Sequence, residues 1–198
     1  MGAGRRGDAD TPCCCGRRAV VGLALASLLV GIAWADDDAA KADAATAPPQ
    51  PDDRFVFLTG PNKGQVVRVD NLPIGGPQVQ VYPATLDGTL RNETPLNLVI
   101  LVRFDPADLS EETRAQAAEG VVAYSAVCTH QACPVNAWSK ERNAFVCSCH
   151  GAVYDPRNGA AVMDGPAPRP LPSLPLKIVD GAVTVASGFS SRVGGTRK

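Results

Sequence analysis

Both histidines of this 198-residue chain, and four of its seven cysteines, fall between Cys128 and His150. They form two short boxes, Cys128-Thr-His130-Gln-Ala-Cys133 and Cys147-Ser-Cys149-His150-Gly. Two thiolates and two imidazoles from two loops are metal-binding chemistry, and the set fits more than one metal. Cys2His2 is a legitimate structural zinc set, but zinc fingers usually place like ligands in pairs on one element. Here each loop carries one of each kind, and Cys133 and Cys149 are left over, one per loop.

The two boxes resemble those of the Rieske iron–sulfur proteins, in which two cysteines hold one iron of a [2Fe–2S] cluster and two histidines the other. The resemblance covers roughly the second half of the chain. It implies that Cys128 and Cys147 bind the inner iron, that His130 and His150 bind the outer one, and that Cys133 and Cys149 form a disulfide. It also implies that Gly165-Pro166-Ala-Pro168 is the proline loop covering the cluster. The cysteine pair is absent from the low-potential ferredoxins of the family and present in its quinol-oxidising members, so the resemblance points to the high-potential branch.

Charge counting says what such ligands achieve. Two ferric ions and two sulfides give a formal core of +2, which two thiolates cancel and four would overshoot. A neutral oxidised site accepts an electron readily, and potentials lie at roughly −150 to +300 mV instead of about −400 mV. Each outer histidine keeps a second ring nitrogen for a proton or hydrogen bond.

Departures from the family boxes, Cys-Thr-His-Leu-Gly-Cys and Cys-Pro-Cys-His-Gly-Ser, concern tuning and docking. Ala152 stands where many high-potential members have a serine donating to a cluster sulfur, so the potential is expected below theirs. Tyr154 matches the tyrosine that donates to a ligand cysteine. Gln131 replaces a leucine of the docking surface, and Ala132 replaces a glycine.

The other elements have to export and present this site. Arg5, Arg6, Arg17 and Arg18 precede an apolar run, Ala19–Ala35, that ends in Ala33-Trp-Ala35 before Asp36. Residues 1–35 therefore resemble a twin-arginine export signal, cleaved or retained as an anchor. A span of about 26 Å is marginal for crossing a bilayer. Cys13, Cys14 and Cys15 lie on the wrong side of the run for a lipoprotein cysteine and are assigned no role. Residues 36–53, rich in Asp, Ala and Pro and lacking Leu, Ile, Val and aromatics, are expected to be an extended tether.

Residues 54–189 are expected to form one all-β domain, with 190–198 as a tail. Short apolar runs predict strands at Phe55–Leu58, Val66–Val69, Val79–Tyr82, Leu98–Phe104, Val121–Val127, Phe145–Val146, Leu176–Val179 and Ala182–Val185. Asp180-Gly181 is a hairpin signal. Ser110 is placed to cap one helix over Glu111–Glu119, ending at Gly120. The family resemblance implies an antiparallel fold of three sheets.

A net charge of −1 gives no basic footprint, which argues against nucleic acid as a partner. No group outside the boxes suggests catalysis by the chain alone; Asp155, Arg157, Asp164 and Arg169 read as a charged rim around them. The resemblance leaves two partner classes. One is a bc-type complex, in which His150 takes a hydrogen bond, electron and proton from quinol before delivery to cytochrome b and c subunits. The other is an arsenite-oxidase-type enzyme with a molybdopterin large subunit, for which Val81-Tyr-Pro83 and Val122-Ala-Tyr-Ser125 have a similar look. A freestanding carrier is the third possibility. All three work on the periplasmic side of the membrane.

Overall fold

Apolar residues at odd and even positions alike set Leu98–Phe104 and Val121–Val127 apart from the other β-like segments, and such strands need an apolar layer on each face. The computed structural model, which describes residues 37–195, supplies both layers. A six-stranded antiparallel sheet has the order β4-β3-β2-β1-β10-β9. Its strands are β1 (Arg54–Phe57), β2 (Val79–Ala84), β3 (Val99–Arg103), β4 (Val121–Ser125), β9 (Leu176–Val179) and β10 (Ala182–Val185). Between β4 and β9 the chain makes a four-stranded meander of β5 (Ala137–Ser139), β6 (Ala144–Cys147), β7 (Ala152–Asp155) and β8 (Ala161–Asp164).

Strand alternation sorts the two layers. Val99 and Leu101 of β3 join Phe55, Phe57, Val81, Val121 and Val183 in one cluster. Ile100 and Val102 join Val122, Tyr124, Phe145, Cys147, Ala152 and Tyr154 in the other. The second cluster is the wall between the sheets, and it contains the site's buried cysteines.

Several expectations are corrected by the structure. Among the described residues the strands join into two hydrogen-bonded sheets, the larger one closed between β1 and β10 by the single pair Arg54 and Thr184. Val66–Val69 is not a strand: β1 and β10 pair only at Arg54 and Thr184, and this segment wedges where they splay. Val66 bridges Val56, Arg68 bridges Ala182, and Val69 opens a 3-10 turn. Strands β5, β7 and β8 were not legible, because each has three or four residues and no sustained apolar run. The helix is Glu111–Gln116, capped by Ser110 as expected. It stops early because Ala117 is extended (φ −83°, ψ 157°), and Glu119 and Gly120 at positive φ (49° and 79°) then turn the chain into β4.

The proposed extended tether is also corrected, since residues 37–46 are helical. Alanine is the best helix former, and low apolar content does not prevent docking through backbone groups. The Arg91 guanidinium donates to the Ala44 carbonyl (2.7 Å), the Asn97 amide to that of Ala47 (2.8 Å), and the Glu93 N–H to that of Ala45 (3.3 Å). These satisfy carbonyls that a helix end leaves without partners. Arg91 also forks onto buried Asp53 at 2.5 and 3.0 Å. The apolar run Ala19–Ala35 lies outside the described residues. Among the described residues no helix is long and apolar enough to cross a membrane.

Candidate metal centre

The first box follows β4 and the second is the turn between β6 and β7, so the two sheets each contribute one. Both close in the same way. The Ala132 N–H donates to the Cys128 carbonyl and the Gly151 N–H to that of Cys147, each at 3.0 Å. Both donors have positive φ, 58° and 71°. A left-handed residue ends each tight turn. Glycine adopts that conformation freely and alanine does not, so Ala132 carries local strain.

Cys133 and Cys149 form a disulfide joining the two boxes. Cys128 and Cys147 are fully buried and not bridged. Burial pushes the Cys147 thiol up from its ordinary pKa, and the adjoining Cys128 thiol adds to the shift. The His130 and His150 rings face one another edge to face, with centroids 4.7 Å apart. His130 is half-buried with its Nδ1 enclosed and lacking any hydrogen-bond partner, whereas His150 is exposed. An enclosed imidazole nitrogen without a partner is costly unless a ligand takes it up. Two buried thiols and an enclosed imidazole nitrogen without a partner fit a bound metal group whose histidine end reaches the surface at His150.

Tyr154 supports the inner end. Its hydroxyl lies 3.1 Å from Cys128 Sγ and 3.3 Å from Thr129 Oγ1. Burial holds the phenol well above its ordinary pKa, so it remains a donor. Thr129 gives its own hydrogen to the Arg169 carbonyl at 2.7 Å. A metal-bound Cys128 thiolate would accept the Tyr154 proton's hydrogen bond. Ala152 is fully buried and pairs across the β6–β7 ladder with Cys147. Gly165 (φ 86°) lies against it: a side chain there would come within 2.7 Å of Ala152 Cα and 2.8 Å of the Gly151 carbonyl. Pro166 and Pro168 are exposed beyond that contact.

The charged rim is less open than the sequence suggests. Arg157 bonds Asp155 at 3.2 Å, Arg142 approaches Asp164 at 3.6 Å, and Arg169 is engaged internally. Thr129 and the Ser148–Asn136 hydrogen bond (2.9 Å) were missed from sequence. Hydroxyl residues within a ligand box were the available signal.

An antiparallel β domain that presents paired Cys/His boxes clipped by a disulfide defines a candidate metal-binding domain. The comparisons with known proteins agree: residues 98–175 match the model of the Rieske [2Fe-2S] domain, and the chain carries that domain. Its cofactor is accordingly a [2Fe–2S] cluster. The chain is similar to the cytochrome bc1 complex Rieske iron–sulfur subunit of Streptomyces lividans, 32% identical over 54% of this chain and 65% of that one. It is also similar to a Haloferax mediterranei protein provisionally named as a respiratory nitrate reductase Rieske subunit, 35% identical over 60% and 52% of the two chains. The match thus spans less than two thirds of either relative. The crystal structure of a plasma membrane Rieske protein from Synechocystis PCC 6803 aligns with 28% identity and a TM-score of 0.35, covering 54% of this chain and 84% of that one.

Proposed function

We propose that Cys128 and Cys147 hold the inner iron, that His130 and His150 hold the outer one, and that the domain serves as the iron–sulfur subunit of a bc-type quinol:cytochrome oxidoreductase. The observation that carries this is the asymmetry of the histidines: His130 is enclosed and its Nδ1 lacks a partner, while His150 stands at the surface. When bound, the cluster supplies one reversible electron at a potential raised by its two neutral ligands. His150 presents its outer ring nitrogen to a quinol hydroxyl, accepts a hydrogen bond there and takes up the proton that leaves with the electron. The buried cysteines and Tyr154 keep water from the opposite end. Similarity to subunits named for cytochrome bc1 complexes supports the choice of complex.

A second reading, the small subunit of a larger oxidoreductase such as an arsenite-oxidase-type enzyme with a molybdopterin partner, is favoured by polar Gln131, and the Haloferax relative, named for a nitrate reductase, fits a subunit of a larger reductase. Placement on the periplasmic side fits the disulfide, which persists in oxidising compartments. Retention of Ala19–Ala35 as an anchor would hold the domain beside quinol.

Purification of the native protein distinguishes these readings. Two irons per chain, a paramagnetic reduced state and co-purifying b-type haem are expected. One zinc and no iron would refute the ligand assignment, and a molybdopterin partner in place of haem would establish the second reading.

A further inference from the structure

Arg169 follows the proline loop and is tied to two other segments at once. Its carbonyl accepts the Thr129 hydroxyl at 2.7 Å, which fixes the residue between Cys128 and His130. Its guanidinium Nη2 donates to the carbonyls of Arg192 (2.7 Å) and Gly194 (2.6 Å). These belong to a terminal strap that is pinned to the sheet where the Ser190 N–H donates to the Ser173 carbonyl (2.9 Å). The strap then runs along the back of the first box. Gly194 faces Ala132 and Val127, and a Cβ on Gly195 would meet the His130 carbonyl at 2.7 Å. The main chain of His130 is therefore backed by the strap, and the strap is held in place by Arg169.

Stability alone is a poor account of this residue. Its Nη1 is buried without a partner, and among the described residues no carboxylate pairs with it. A cation so placed is costly to desolvate. We propose that Arg169 is a positioning residue for His130: it clamps the strap Arg192–Gly195 against the His130 main chain and so fixes the direction of the ring. The inference rests on His130 being an iron ligand. Groups that orient a metal-binding histidine govern affinity and electronic structure without touching the metal.

The test uses the full chain with its cluster, comparing Arg169→Met, Arg169→Lys, Gly195→Ala and the Arg169→Met/Gly195→Ala pair. Circular dichroism should show the same β fold throughout. Arg169→Met and Gly195→Ala should each speed chelator-driven iron loss by about 10-fold and displace the g-values of the reduced cluster. The double variant should do no more than either single, because both release one clamp. Arg169→Lys, which restores a donor to the strap, should recover part of the loss. Unchanged g-values and iron retention in Arg169→Met and Gly195→Ala would overturn the proposal while leaving the ligand assignment intact. Should Arg169→Met fail to fold, Gly195→Ala decides. Wild-type protein without iron would instead remove the reading on which the proposal rests.

Discussion

The six-stranded sheet and the four-stranded meander are held by different means. Strands β3 and β4 are buried along almost their whole length, and their side chains feed two apolar layers. The meander has strands of three or four residues, and its outer strand β8 is half exposed. Among the described residues, three of the six non-glycine residues with positive φ, Ala132, Asn143 and Ala160, lie in it or in the Cys/His box before it. A unit so small buries too little apolar surface to fix its own loops, so a disulfide and directed hydrogen bonds take that role. Scaffold stability is a property of area, whereas site geometry is a property of individual bonds.

Substitutions in the two regions should therefore be separable. Leu101→Ala removes a fully buried side chain from β3. It should cost about 2–5 kcal/mol in a denaturant titration, with the cluster's spectrum unchanged in the folded fraction. A changed reduction potential would show that the large sheet is coupled to the site. The paired replacement Cys133→Ser and Cys149→Ser should cost about 2–4 kcal/mol, in the range expected for a disulfide spanning such a short separation. Its sharper effect should be weak cluster binding in a domain that stays folded, read as iron per chain. Full iron retention would mean that the disulfide does not support the boxes.

The smallest effect should come from single hydrogen bonds. Tyr154→Phe removes the donor near Cys128, which costs the more negative reduced state about 1.5–3 kcal/mol and lowers the potential. Ala152→Ser should act in the opposite direction, because the register places the new hydroxyl beside Cys147. Voltammetry reporting no shift in either variant would mean that neither group reaches the cluster.

The candidate ligand residues stood out because soft donors in mixed pairs are rare in any sequence, and the strands of the large sheet because two-faced burial writes continuous apolar runs. Val66–Val69 misled because an apolar tetrapeptide says nothing about whether its neighbours run side by side or splay. The segment before Asp53 misled because docking through carbonyls leaves no mark on side-chain composition. Arg169 looked like surface charge for the same reason: the carbonyls of Arg192 and Gly194 that it holds are identical in every residue type. Ala132 was visible as a departure from glycine, but only its φ of 58° shows why glycine is the usual occupant.

The pairing of Arg54 with Thr184 closes the large sheet across nearly the whole domain, whereas β5 to β8 join successive neighbours. Contacts between distant parts of a chain form slowly, because loop-closure entropy must be met before any contact rewards it. The meander can therefore form its hairpins while β1 and β10 are still apart. On that schedule the second box is shaped early, the first acquires its wall when β3 and β4 dock, and the last event seals the barrier around the buried cysteines. Until that last event, Cys128 and Cys147 stay open to solvent.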